Sequence, residues 1–449
     1  MKQKIVVNIG RLAGILPAGK ERLCGKEMAQ MQTLENAWML IEDGRIKDFG
    51  GASEAPKAPK APPTAPEGAS LLFRAKTFVA PSGAEGGALG ASGTPTIIDA
   101  KGGTVMPSFC DSHTHIVYAG SREQEFVDKI NGLSYAEIAR RGGGILNSAD
   151  RLHELSEDEL YQQAMRRVNE IIRKGTGTVE IKSGYGLTTD DELKMLRVIR
   201  RIKQTAPLRV KSTFLGAHAV GRAYTGRQSE YVDLVVNEMI PEVGRQQLAD
   251  FVDVFCDEGF FTVDETARIL EAAAQWGMRP KIHGQELADS GGVEVAVRHN
   301  ALSVDHLESM TERDIELFKQ SQTMPTALPG TSFFLNMPFA LGRKMIDAGL
   351  AMAIASDYNP GSTPSGDMKF VVALACIKMR LQPAEALNAA TINSAAAMDE
   401  SHDYGSITRG KVANFFITEP IPSLDFIPYA YTSPIISRVF LKGEEVNEE

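Results

Sequence analysis

Residues 178–215 read TVEIKSGYGLTTDDELKMLRVIRRIKQTAPLRVKSTFL, and this stretch decides the fold. A β-rich run, Thr178–Lys182, leads into a glycine-containing turn. Thr189 and Glu192 then match the S/T-x-x-E capping box that opens a helix, and a second β-rich run follows at Arg209–Leu215. Outward from this unit the same β-then-α order recurs from about residue 104 to 400. The other strand candidates are Thr104–Phe109, Phe251–Phe255, Pro280–His283, Leu302–Asp305, Thr323–Leu328 and Ala351–Ser356, which makes eight. Ser156–Glu159 and Thr262–Glu265 are further capping boxes, and Thr311–Asp314 is a looser one. After Ser156, the residues Leu160, Ala164, Val168, Ile171 and Ile172 fall at helical spacing and form one apolar stripe for packing on strands. Strict eightfold alternation predicts an α/β fold, a closed parallel (β/α)8 barrel of the TIM type. An open doubly wound sheet does not need eight turns, and the first turn carries no GxGxxG.

The flanks differ from this middle. In WMLIEDGRIKDFG, residues 38–50, the pair Asp43-Gly44 between apolar runs predicts a hairpin, because a type I′ turn needs positive φ. Residues 51–70 hold 13 Ala, Pro or Gly in 20, and residues 81–95 are similar; both read as exposed loops, with a strand candidate, LLFRAKTFVA, between them. Near the end, GKVANFFIT and SRVFLKGEEV read as strands again. The expected division is 1–104 and 401–449 as two parts of one small β-sandwich domain, with the barrel at 105–400. Length alone, 449 residues, suggests about three domains, but a barrel takes about 250 residues as one unit.

Composition narrows the function. A net charge of −9 argues against a nucleic-acid surface or a polybasic membrane anchor. Asn8 and Arg11 interrupt the first apolar run, and no window approaches 18 uncharged apolar residues. The four cysteines, Cys24, Cys110, Cys256 and Cys376, show no paired spacing, which predicts a reducing, cytoplasmic setting.

The sequence holds only 8 histidines, and five fall where strands of the barrel end: His113, His115, His218, His283 and His306. Catalytic residues of such barrels sit at that rim. A single histidine is more often a packed, hydrogen-bonded one; five of eight at one rim outweigh that reading. In Cys110-Asp-Ser-His-Thr-His115 the H-x-H spacing puts two imidazoles on the same side of a strand, where they can chelate one ion. His283 and Asp357, the latter in Ala355-Ser-Asp-Tyr-Asn-Pro-Gly361, complete a His₃Asp set suited to Zn²⁺ or Fe²⁺. The alternative for Asp357 is a loop cap. A bound divalent ion lowers the pKa of a water to about 7 and so gives a nucleophile at neutral pH.

This constellation resembles the amidohydrolase superfamily, whose ligands come from a strand-1 H-x-H, a strand-5 His and a strand-8 Asp. No lysine ends strand 4, which reads Val254-Phe-Cys-Asp-Glu258, and that points to one metal ion. Within the superfamily, Gly120-Ser-Arg-Glu123, Gly142-Gly-Gly-Ile145, Lys182-Ser-Gly-Tyr-Gly186, Gly216-Ala-His-Ala219, Ile282-His-Gly-Gln-Glu286 and Asp357-Tyr-Asn-Pro-Gly-Ser362 together resemble the imidazolonepropionase family. The likeness runs from about Val105 to Ile417, and only the Ala/Pro/Gly-rich stretches are longer than that family leads one to expect.

The resemblance implies hydrolytic opening of 4-imidazolone-5-propanoate to N-formimidoyl-L-glutamate in histidine degradation. It also implies a homodimer and no nucleic-acid or membrane partner. The implied metal ligands are His113, His115, His283 and Asp357, and the implied catalytic groups are Glu286, His306 and Asp357. Glu286 would carry the proton, and His306 would meet the oxyanion or shuttle protons. Substrate contacts fall to Arg122, Tyr185, His218 and Glu286, with Asn359, Gly361 and Ser362 on the product side. A guanidinium fork matches a carboxylate, which suits Arg122 to the propionate. The alternatives are a Tyr185 that only covers the barrel mouth and an Arg122-Glu123 surface ion pair. For the whole chain they are a mononuclear deaminase of a purine or pyrimidine base, and a catalytically silent barrel scaffold.

Overall fold

The computed structural model describes residues 2–54, 95–133, 137 and 143–446. The strand candidate at residues 71–80, and all but the margins of the two Ala/Pro/Gly-rich stretches, lie outside the described residues.

Eight parallel strands form the barrel: β6 (Phe109–Asp111), β7 (Thr176–Lys182), β8 (Arg209–Ala217), β9 (Phe251–Cys256), β10 (Arg279–Gly284), β11 (Ser303–His306), β12 (Met324–Ala327) and β13 (Ala353–Ile354). Each pairs with the next in sequence order. The ring closes just beyond β6 and β13, where His115 N donates to Tyr358 O at 2.9 Å and Asp357 N to His113 O at 3.0 Å. Three metal-ligand candidates, His113, His115 and Asp357, thus lie on the seam that closes the barrel.

The helices follow their start signals. Ser156 caps Glu157–Arg173 in a complete capping box, and the predicted stripe from Leu160 to Ile172 is buried. Each Leu, Val or Ile of that stripe contributes about 1.5–3 kcal/mol by leaving water. Thr262 caps Val263–Ala274, and Thr311 with Asp314 caps Glu312–Lys319. One box is displaced. The helix Thr189–Thr205 is capped by Thr188, whose side chain accepts from Asp191 N, rather than by Thr189 and Glu192. Glu192 is drawn away because its carboxylate takes three backbone N–H groups of the preceding turn.

A second sheet joins both ends of the chain: β1 (Gln3–Ile15), β2 (Gln32–Glu42), β3 (Arg45–Gly51), β4 (Thr96–Asp99), β5 (Thr104–Pro107), β14 (Phe415–Thr418), β15 (Ile436–Leu441) and β16 (Glu444–Glu445). Asp43 (φ 48°) and Gly44 (φ 79°) make the β2–β3 turn with the two positive φ values the hairpin needs. The predicted strand Thr104–Phe109 is split between the two sheets. Thr104–Pro107 pairs with β1 and β14, and Phe109 pairs with Thr176 of the barrel. The break falls at Pro107, which has no N–H to continue a ladder. Phe415 and Phe440 stack 4.6 Å apart in the core of this sheet, among Leu12, Met39, Ile41 and Val105.

Candidate active site

The deepest part of the site is a cluster of donors at the barrel rim. Nε2 of His113 and Nε2 of His115 are 3.3 Å apart, and Nε2 of His283 is 3.4 Å from that of His115. Asp357 Oδ1 lies 3.5 Å from Nε2 of both His113 and His115. Four donors about 2.1 Å from one centre stand roughly 3.4 Å from each other in a tetrahedron, so the spacing suits one transition ion. Asp357 Oδ1 is buried and has no hydrogen-bond partner among the described residues, while its Oδ2 accepts from Thr331 Oγ1 at 2.6 Å and Ser362 Oγ at 2.9 Å. One carboxylate oxygen is therefore fixed, and the other is aimed at the imidazoles. Asp357 sits at φ 54°, a left-handed conformation that turns its side chain back over the rim.

Behind the imidazoles lies a fully buried ionic network. His113 Nδ1 meets Asp305 Oδ2 at 2.7 Å, and His283 Nδ1 meets Asp253 Oδ2 at 2.9 Å. The hydrogen bond at His113 holds the proton on Nδ1 and leaves Nε2 open to a metal, and the ion pair with Asp253 favours the same tautomer at His283. Lys182 Nζ bridges Glu180 (2.6 Å) and Asp253 (2.8 Å); Lys281 pairs with Glu180 and donates to Ser112 O at 2.8 Å. Three carboxylates (Glu180, Asp253, Asp305) against two lysines leave one net negative charge. Asp357 adds a second negative charge beside the imidazoles. Burial, followed by Lys182 and the neighbouring imidazoles, pushes His113 well below the ordinary histidine value. Burial and the imidazoles of His218 and His283 do the same to His115. Neutral rings are the form that binds metal.

Beside the cluster is a second group of buried titratable side chains. Glu286 Oε2 lies 3.5 Å from His306 Nε2, and His306 Nδ1 lies 3.4 Å from Glu308 Oε2. Burial pushes the Glu286 carboxyl up to about 8, against the opposing pull of His306. Burial alone would lower His306, but Glu286 and Glu308 outweigh it and bring the imidazolium up to about 10. His306 and Leu307 have φ of 91° and 72°, strained values that turn the ring toward Glu286. Asp257 fixes the loop carrying Glu286 by accepting from Glu286 N (2.8 Å), Leu287 N (2.9 Å) and Ala288 N (3.1 Å).

The sequence-expected site residues other than His113 line one cavity of about 610 Å³. His218 donates Nδ1–H to Gly184 O at 2.9 Å and stacks on His115 with ring centroids 5.3 Å apart. Burial pushes it down to about 3, so it is neutral. Tyr185 is buried with its ring 5.4 Å from His218, on the turn that Glu192 clamps. Asn359 Oδ1 accepts from Gly361 N and Ser362 N at 2.7 and 2.8 Å, which folds these residues into one loop over Asp357. At the far end is Arg122. Its partner is Glu125, at 2.5 Å from Nη2, and not Glu123, which bonds Ser121 instead. The pair is almost wholly buried.

The amidohydrolase family model matches residues 104–446. An imidazolonepropionase of Christiangramia forsetii is 49% identical over 98% of this chain and 99% of its own length. One of Thermoanaerobacter pseudethanolicus is 36% identical over 95% and 94%. This chain belongs to the imidazolonepropionase family. Solved structures share the family's fold at far lower identity. A triazine hydrolase variant superposes with TM-score 0.71 at 16% identity, covering 99% of this chain and 94% of the other. The guanine deaminase of E. coli gives 0.70 at 13%, covering all of both chains. The amidohydrolase family is metal-dependent, in keeping with the donor cluster.

Sequence reasoning missed the supporting residues. Asp253 and Asp305 are buried on β9 and β11; for Asp253 a carboxylate inside an otherwise apolar barrel strand was the available signal, whereas Asp305 stands among polar residues and had none. Glu308, two residues beyond the end of β11, had no such signal either. Glu125 and Lys129 lie on a short helix, Glu123–Ile130, whose polar residues look like any solvated face until the fold turns them inward.

Proposed function

We propose that this chain opens the ring of 4-imidazolone-5-propanoate with water, giving N-formimidoyl-L-glutamate in histidine degradation. One observation carries the reading: His115, His283 and Asp357 of the donor cluster and the buried Arg122 line one cavity, in a chain 49% identical to an imidazolonepropionase. The ligands are His113, His115, His283 and Asp357, holding one ion. Zn²⁺ and Fe²⁺ both suit nitrogen and oxygen donors, and no lysine ends β9 to bridge a second ion. When bound, the ion supplies Lewis-acid polarisation of the ring carbonyl and activation of a water.

The chain's own residues do the rest. Glu286, in its ionised form beside the His306 imidazolium, takes a proton from the attacking water at its carboxylate and passes it to the ring nitrogen as the C–N bond breaks. His306, held protonated between Glu286 and Glu308, donates from Nε2 to the oxyanion. Tyr185 and His218 wall the ring and exclude water, and Arg122 receives the propionate. Asn359, Gly361 and Ser362 face the product. All lie within 105–400, and 1–104 with 401–449 is the domain we assign to its support. We also assign the enzyme to the cytoplasm as a homodimer; no helix among the described residues is long and apolar enough to cross a membrane.

The test is turnover of imidazolone propionate by the metal-loaded protein, followed by loss of its ultraviolet absorbance and identification of the product by mass. Release of ammonia from guanine or cytosine, with imidazolone propionate left intact, would assign a base deaminase instead. A folded protein that binds neither Zn²⁺ nor Fe²⁺ and stays inactive would be a scaffold.

A further inference from the structure

The mouth of the cavity holds a second cation. Arg122 gives Nε, at 2.9 Å, and Nη2 to one oxygen of Glu125, whose other oxygen accepts Gly144 N at 2.9 Å. That pair is neutral as a unit. One turn further along the same helix, Lys129 lies four residues after Glu125 and so on the same face. Its Nζ is 3.1 Å from Gly361 O and 5.8 Å from the centre of the Phe334 ring, and it lines the same cavity as Glu286 and Asp357.

Gly361 is where the two cations meet. A Cβ at that position would fall 2.4 Å from Arg122 Nη1, so only glycine lets the guanidinium lie this close while its carbonyl accepts from Lys129. Burial, then the charge of Arg122, pushes the Lys129 ammonium below its ordinary value. Two like charges converging in a half-buried pocket are unfavourable until an anion joins them. Among the described residues, Arg122, Lys129 and Glu125 together carry two positive charges and one negative, a net positive charge of one. A lysine ammonium also has three donors, and the Gly361 carbonyl takes one.

We infer that Lys129 is a specificity-determining contact for the substrate carboxylate, supplying the net positive charge that the Arg122–Glu125 pair cannot. Arg122 gives direction through its planar fork, and Lys129 gives the charge. This rests on the ring-opening reading and names the group that selects an acid over an uncharged ring.

The experiment measures binding, so that it does not depend on turnover. Imidazole-4-propanoate and its methyl ester are titrated calorimetrically into metal-loaded wild type, Lys129→Met and Lys129→Arg. Wild type is expected to favour the acid over the ester. Lys129→Met should lose roughly ten-fold in affinity for the acid and little for the ester, with metal content unchanged. Lys129→Arg should keep most of the preference. Equal weakening of acid and ester by Lys129→Met would mean that Lys129 only props the Gly361 loop, and unchanged acid binding would remove it from the site. Either result overturns the inference. Wild-type turnover of imidazolone propionate is scored separately, so a failed ring opening would fall on the proposed function and not on Lys129.

Discussion

The two ends of the cavity are built differently. At the floor, His113, His115, His283 and Asp357 stand on or just beyond barrel strands, are buried, and are braced by Asp253, Asp305 and Thr331. At the mouth, Arg122 and Lys129 stand on a short helix whose Phe126, Val127 and Ile130 are exposed. Rigid strands position donors to a fraction of an ångström, whereas a helix in a loop tolerates change. On the function proposed above, the chemistry falls to the floor and the choice of substrate to the mouth.

Substitutions at the floor should sharpen this division. Asp357→Ala removes a ligand and its bracing together, and is expected to abolish metal retention and activity in parallel; metal analysis beside an activity assay checks it. Glu286→Gln should keep metal and fold while lowering kcat by about 10²–10⁴-fold, the usual contribution of a positioned proton carrier. Asp253→Asn touches neither metal nor substrate, yet should weaken metal affinity by about 10–100-fold, as read by competition with a chelator, because His283 loses the partner that fixes its tautomer. The smallest effect is expected from Glu308→Gln. Its negative charge helps to raise both Glu286 and His306, so its loss lowers both, and the pH–rate profile should move to lower pH with metal content unchanged. Phe126→Ala at the mouth is expected to leave metal affinity unchanged, and a floor that tolerated Asp253→Asn as easily would break the comparison.

Much of this was legible before the structure. The barrel followed from eightfold alternation, and the His₃Asp set from the places where histidines interrupt strand ends. What stayed hidden depends on side chains that meet only in three dimensions. Lys182, in the motif that ends β7, gave no hint that it lies on Asp253 from another strand. Arg122 had two acidic neighbours within three residues, and the helix turn, not proximity in sequence, selects Glu125 over Glu123. The strand at Thr104–Phe109 was read as one because apolar residues continue through it, although Pro107 hands the chain from one sheet to the other. Thr188 and Thr189 are adjacent candidates for one cap, and only the pull of the Lys182–Gly186 turn on Glu192 decides between them.

The division between floor and mouth is tested most directly by Arg122→Ala, with metal content and KM for imidazolone propionate measured on the same preparation. The account predicts near-wild-type metal and a KM raised by about 10–100-fold, the loss of a charge-assisted carboxylate contact. Loss of metal in step with the rise in KM would contradict it, because Arg122 would then be holding the floor together and not selecting the substrate.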